Sequence, residues 1–428
     1  MNKKYMHPAE QIVTLMNRVY KNKLTTTSGG NFSIKDDDGN IWITPSGIDK
    51  GSLTPADICK VAPDGTVTGK YAPSCELPFH TMAYKTRPDI RAVLHAHPVA
   101  SVSFSLTRQI PDVNVIPTPS VVCGKVGSAG YEVPGSIALG NRIVAALEKG
   151  MDIVMMDNHG VTVVAKDLFE AYKKFETFNT AAKIAIAAKK IGEPITLTER
   201  QLKLYSAAKF DLDEFEPAIR SAEEMKFRSD ICAFSKRSLN QGIFSSIRGV
   251  IAARLGEDSF LISPHYADRA YLEPEDIVRI DGGKREKGKV PCHAAEVCRA
   301  IFKKHPEINA IFFAEPEHIM AYSVTHTPID SRTIPESYIQ MRTVKNLPYG
   351  ITVNSPEKVA DVFCSSTPVV IIENDCVIST GHSITNAFDR MEVAEFTAET
   401  IIDSLPIGSI VNMTDEEIET INHDFNIQ

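Results

Sequence analysis

Two histidines separated by a single residue, His95-Ala96-His97, close the apolar run Ala92-Val93-Leu94. Side chains alternate in direction along a strand, so a strand ending here sends both imidazoles off one face. Two imidazoles converging from a rigid strand end are what a metal ion needs, and Glu76 before them and Asn158-His159-Gly160 after them could complete the site. His159, set between apolar segments and followed by glycine, reads as a third ligand. Three neutral imidazoles with one open position form a catalytic zinc arrangement, with the metal acting as a Lewis acid. Glu76 has three readings: fourth ligand, general base or helix-capping carboxylate. Motif spacing alone favours the cap, because Glu76 opens a predicted helix after Pro73-Ser74-Cys75; that helix leads straight into the histidine strand, which puts the metal within reach. His80, at i+4 on the same helical face, either orients the carboxylate or packs.

Two upstream loops have the composition to hold an anion. Ser28-Gly29-Gly30-Asn31-Phe32-Ser33 and Thr44-Pro45-Ser46-Gly47 supply small residues, hydroxyls and backbone N–H groups. With the helix N-terminus at Ser74-Cys75 they could hold a phosphate without lysine or arginine.

The elements that must position these groups mix helix and strand. Apolar spacing predicts a helix over Met6 to Asn22, short strands at Phe32–Ile34 and Ile41–Ile43 joined by the turn Asp36–Asn40, and a helix from Glu76 to Thr86. Asp152–Met156 and Val161–Val164 read as a strand pair around His159, and Leu168 to Ile191 as a long helix. The fold class is α/β, with helices around a sheet.

At 428 residues, 43% hydrophobic and 23% charged, the chain is a well-folded protein too long for one ordinary core. No apolar stretch approaches the roughly 20 residues of a membrane span, and Met1–Tyr5 is not followed by an apolar signal core. The expectation is a cytoplasmic protein without a membrane partner. A net charge of −8 argues against nucleic acid, which needs a basic face. The eight cysteines form no CxxC pair and read as reduced thiols.

The chain is duplicated. Leu53-Thr54-Pro55-Ala56-Asp57-Ile58 is echoed by Leu272-Glu273-Pro274-Glu275-Asp276-Ile277, with Asp276 standing 219 positions after Asp57. Arg87-Pro88-Asp89-Ile90-Arg91-Ala92-Val93-Leu94 recurs as His305-Pro306-Glu307-Ile308-Asn309-Ala310-Ile311-Phe312 at an offset of 218. A unit of about 200 residues is a whole domain, not a solenoid element. The expected domains are 1–210 and 226–428, with the seam in the acidic stretch from Asp211 to Phe227.

In its ordered motifs SGGNFS, TPSG, PSCE, HAHP and NHG, the segment from Ala9 to about Gln201 resembles the class II aldolase/adducin family, whose members include aldolases acting on L-fuculose 1-phosphate. The resemblance implies an α/β/α sandwich around a mainly antiparallel sheet. It implies Zn2+, or another divalent metal, on His95, His97 and His159, with Glu76 as acid/base. A phosphate would be bound by Gly30, Asn31, Ser46, Gly47, Ser74 and Cys75, although the family usually has a second serine where Cys75 stands. The implied reaction is cleavage of a phosphorylated ketose through a zinc-stabilised enediolate. The family's 4-epimerases tend to carry aspartate at the position of Glu76, which favours aldol cleavage; keto-tetronate-phosphate decarboxylases share the pattern, and an adducin-like scaffold would have lost the metal.

The family's second acid is a tyrosine lent by a neighbouring subunit of a four-fold ring, and Tyr131 matches that motif. A tandem chain could build the ring as a dimer of live and degenerate domains, in which case Tyr349, near the counterpart position, becomes the donor. In the second copy Phe313 falls opposite His95, Glu315 opposite His97, Asp375 opposite His159 and Ala294 opposite Glu76, so that copy is expected to lack this metal site. Its counterpart of the TPSG loop, Ser263-Pro264-His265-Tyr266, has lost the small residues.

Overall fold

The computed structural model describes residues 6–207, 212–217 and 219–427. The N-terminal run 1–5 and, within the predicted seam and domain boundary, residues 208–211 and 218 lie outside the described residues. Contacts divide the chain into two units, Met1–Val113 with Thr118–Lys183, and Asn114–Pro117 with Ile184–Gln428.

The first unit carries β1 (Asn31–Lys35), β2 (Ile41–Ile43), β3 (Cys59–Val61), β4 (Val67–Thr68), β5 (Ala92–Ala96), β6 (Val126–Ala129), β7 (Ile153–Met156) and β8 (Val161–Ala165). They form one sheet in the order β4-β3-β2-β1-β5-β8-β7-β6. β6 and β7 pair parallel and every other pair is antiparallel.

The second unit carries β9 (Glu214–Phe215), β10 (Val250–Arg254), β11 (Ser259–Ile262), β12 (Val278–Asp281), β13 (Lys284–Glu286), β14 (Ala310–Ala314), β15 (Lys345–Leu347), β16 (Val369–Ile372) and β17 (Cys376–Gly381). Its order, β15-β16-β17-β14-β10-β11-β12-β13-β9, is the first sheet read from the other edge with β9 added. Register repeats as well: Val250 pairs with Phe313 as Asn31 pairs with His95.

Strands β5, β7 and β8 are buried along their whole length, so both faces of the sheet are covered. On one face Val93, Val154 and Val164 pack with Phe79 and Ala83 of the helix Leu77–Thr86 and with Leu139, Ile143 and Leu147 of the helix Ile137–Glu148. Helix Pro8–Lys21 buries Ile12, Leu15, Met16 and Val19, an apolar stripe at helical spacing, and contacts β1 and β2. It starts where Pro8 and a His7/Glu10 capping box satisfy the first turn. These are the elements expected from the apolar pattern, with ends moved by one or two residues. Among the described residues no helix is long and apolar enough to cross a membrane.

One helix offers an internally controlled stability test. Ile143 is fully buried and Ile137, on the same helix, is 61% exposed. Ile143→Ala should lower the unfolding free energy by about 2–5 kcal/mol, through lost burial and a residual cavity, and Ile137→Ala by no more than about 0.5 kcal/mol. Urea unfolding of the two variants checks the packing, and equal effects would refute it.

Candidate metal centre

Strand β5 decides what His95 can do. The register sets His95 between Asn31 of β1 and Thr162 of β8, fully buried. Its Nδ1 lies 3.1 Å from the Val161 carbonyl oxygen. A carbonyl only accepts, so the proton sits on Nδ1 and Nε2 keeps its lone pair. His97 leaves the same face just beyond the strand, and the two Nε2 atoms stand 2.9 Å apart.

His159 arrives on the turn between β7 and β8, where Asn158 takes a φ of 52°, a conformation asparagine tolerates. Glycine follows because backbone and rings close in. A Cβ on Gly160 would stand 2.5 Å from His97 Cδ2 and 2.6 Å from the Ala96 carbonyl oxygen. The three imidazoles bring one ligating atom each to within 4.8 Å of the others. A tetrahedral zinc with nitrogens at about 2.0–2.1 Å would space them about 3.4 Å apart. Burial holds all three rings below the ordinary histidine range, His97 at about 4, and repulsion among the rings adds to the effect on His95 and His97. They are therefore neutral, the state that ligates a metal.

Glu76 occupies the N-cap position of the helix Leu77–Thr86, yet its side chain makes no capping bond, which corrects the capping expectation. It is 4% exposed and turned to the histidines instead. Its Oε2 accepts from Asn31 Nδ2 at 2.7 Å and stands 3.4 Å from His95 Nε2. Its Oε1 is 3.7 Å from His159 Nε2 and, like His159 Nδ1, is buried without a hydrogen-bond partner. An unpartnered buried carboxylate oxygen beside three neutral imidazoles fits a divalent cation.

Behind Glu76 runs a buried chain that contains His80, expected either to orient the carboxylate or to pack, together with Ser33 and Tyr84, which no motif singled out for this role. Asn31 donates to Glu76, so its Oδ1 accepts from His80 Nε2 at 2.6 Å. His80 Nδ1 then accepts from Ser33 Oγ at 2.7 Å, and Ser33 Oγ accepts from the Tyr84 hydroxyl at 2.8 Å. Burial pushes His80 down to about 3, so the ring stays neutral and holds this tautomer. His80 therefore orients the carboxylate through Asn31.

The phosphate-loop residues lie on backbone laced to the same region. The Ser46 N–H donates to the Ala72 carbonyl at 2.9 Å and the Ser74 N–H to the Thr44 carbonyl at 3.1 Å. Gly30, at φ 72°, runs so close to β5 that a Cβ would stand 2.7 Å from the His95 carbonyl oxygen. Ser46, Gly47 and Cys75 are exposed, whereas Gly30, Asn31 and Ser74 are buried. Lys50, given no role by motif reading, is buried under this loop with its ammonium on the Pro45 and Ile48 carbonyls. Among the described residues neither tyrosine is hydrogen-bonded to the imidazoles. Tyr131 is 56% exposed, and the Tyr349 hydroxyl donates to the Gln201 carbonyl at 3.0 Å.

The second unit fills the corresponding place differently. Arg248, in the loop before β10, donates through Nε to Glu315 at 2.5 Å and through Nη1 to the Tyr205 hydroxyl at 2.7 Å, with Asp375 Oδ1 4.0 Å from its Nη2. A guanidinium thus stands between the two carboxylates that replace His97 and His159.

Comparison with known proteins gives the same two-fold pattern. The family model "Class II Aldolase and Adducin N-terminal domain" matches residues 10–186 and again 229–402. An L-fuculose phosphate aldolase of Methanocaldococcus jannaschii is 32% identical over 177 residues, 41% of this chain and 94% of that protein. A 5-deoxy-D-ribulose 1-phosphate aldolase of Bacillus thuringiensis is 33% identical over 202 residues, 45% of this chain and 91% of that protein. A 3-oxo-tetronate 4-phosphate decarboxylase of Escherichia coli is 32% identical over 179 residues, 41% of this chain and 84% of that protein.

The neutral imidazoles make stability pH-dependent. His97, at about 4, and His80, at about 3, titrate near 6.5 once unfolded, so below that pH the unfolded chain binds more protons. Their contribution is complete above pH 6.5 and is lost as pH falls towards 4 and then 3. Urea midpoints of chelator-treated protein should fall steadily between pH 7 and 4.5, and a flat profile would contradict neutral, buried rings.

Proposed function

The chain belongs to the class II aldolase and adducin family, whose model matches it twice, and on that premise we propose that its N-terminal copy is a divalent-metal-dependent aldolase cleaving a phosphorylated ketose. The observation that carries the reading is the buried Glu76 carboxylate, set against His95, His97 and His159 and held there by Asn31. A scaffold has no use for that arrangement, because burying a carboxylate and three imidazoles together without a ligand is unfavourable.

A bound divalent ion, taken to be zinc, supplies Lewis acidity for the negative charge that develops on the substrate oxygens. The chain does the rest. His95, fixed by Val161, and His97 and His159 present neutral nitrogens to the ion. The Asn31–His80–Ser33–Tyr84 chain engages Glu76 Oε2 and leaves Oε1 free to take a proton and return it. Loops 28–31, 44–47 and 72–75 hold the phosphate through N–H groups and hydroxyls.

A second proton carrier is a tyrosine lent by another chain, in a homo-oligomer. Exposure favours Tyr131, since the Tyr349 hydroxyl already has a partner. A second reading, decarboxylation of a 3-oxo acid phosphate at the same centre, is supported by the decarboxylase relative, which shares the same 32% identity as the fuculose-phosphate aldolase relative.

The test is a panel of phosphorylated ketoses and 3-oxo acid phosphates, with aldehyde and CO₂ release as readouts. Aldehyde release from a ketose phosphate is expected, and CO₂ release alone would transfer the assignment to the decarboxylase reading. Glu76→Gln should keep the metal and lose about 10²–10⁴-fold in kcat. Tyr131→Phe should lower kcat while Tyr349→Phe leaves it within about threefold; the reverse result would make the second copy the donor.

A further inference from the structure

The loop after β2 is curled around a cation. Lys50 is 2% exposed, and its ammonium donates to the carbonyl oxygens of Pro45 and Ile48, each at 3.0 Å. Its own N–H donates to the Thr27 carbonyl at 2.9 Å, which ties the SGGN loop to the same point. The adjacent carboxylate does not serve it: Asp49 accepts from the Gly51 N–H and the Ser52 hydroxyl and is exposed. Among the described residues the Lys50 ammonium forms no ion pair.

Two carbonyl dipoles orient an ammonium but do not neutralise it, and an unpaired buried charge is unfavourable unless an anion joins it. Burial accordingly lowers Lys50 from the ordinary lysine range, against the pull of Asp49 and Cys75. The arrangement points to where the anion belongs. Ser46 and Gly47 lie between the two carbonyls that Lys50 holds, both exposed, with open space over Gly47. Ser46 is laced to Ala72 at the start of the Ser74-Cys75 turn.

The second copy keeps a buried cation at this position and one of its two carbonyl contacts. Arg269, 219 positions after Lys50, is also 2% exposed and donates to the Gly249 carbonyl at 2.7 Å and the Ala267 carbonyl at 2.6 Å. Ala267 is the counterpart of Ile48 and Gly249 that of Gly30, so a guanidinium stands in this register in the second copy.

We propose that Lys50 is a positioning residue for the substrate's phosphate: it shapes the Ser46-Gly47 loop and places a full positive charge beneath it, so the site prefers a phosphorylated sugar to a neutral one. The proposal rests on reading the first copy as acting on a phosphorylated substrate. It replaces the expectation that the loops bind phosphate without a lysine.

The test uses the full metal-loaded chain and three proteins: wild type, Lys50→Gln and Lys50→Arg. Glutamine keeps an N–H donor for the carbonyls and removes the charge, and arginine restores the charge. Competitive inhibition by inorganic phosphate and the split between KM and kcat are measured, with metal content as the check on folding. Lys50→Gln should weaken inhibition by phosphate and raise KM by about tenfold or more, the range of a charge-assisted hydrogen bond. Its kcat should stay within about threefold, and Lys50→Arg should recover most of the loss. Unchanged inhibition and KM in Lys50→Gln, or loss of its metal, would overturn the role of Lys50 and leave the phosphorylated substrate standing. A wild type indifferent both to phosphate and to the substrate's phosphate group would overturn the substrate reading itself.

Discussion

The antiparallel register that sets His95 beside Asn31 is the constraint on which the rest of the first unit depends. On one side β8 gives His95 the Val161 carbonyl that fixes its tautomer; on the other β1 brings Asn31, whose amide fixes Glu76. A slip of one residue would turn His95 to the opposite face and part it from both. Apolar residues hold β5, β8 and β7 in register, because Val93, Val164 and Val154 must all meet the helices on the same face as His95.

The second unit shows that the same sheet does not require the same chemistry. Strand order and pairing are kept, yet Phe313 stands in place of His95, and Arg248 is bonded to Glu315 in place of His97. A charged centre is thereby closed by the protein's own cation, and the fold survives the exchange. Fold and site are separable here within one chain.

Much of this was legible in the sequence, for reasons of distance along the chain. The helices and strands follow apolar periodicity, a local signal, and His95-Ala96-His97 declares its shared face through strand alternation alone. Partners remote in sequence are not declared. Nothing in Leu77–Thr86 says that His80 will meet Ser33 and Asn31, nearly fifty residues earlier, or that the Glu76 side chain will turn from the cap to Asn31. The burial of Lys50 is not declared either, because a lysine among Asp49, Gly51 and Ser52 has the pattern of a solvated turn residue and only the folded loop encloses it. The hydroxyl of Tyr349 is likewise engaged by Gln201, 148 positions away, which no local pattern records.

The central proposal is one divalent-metal centre per chain, held by the first copy, with Arg248 bonded to Glu315 at the corresponding place in the second. Elemental analysis of the purified full chain tests this most directly, alongside His97→Ala and Glu315→Ala. About one divalent ion per chain is expected, lost in His97→Ala and unchanged in Glu315→Ala. Two ions per chain, or a metal that survives His97→Ala, would contradict it.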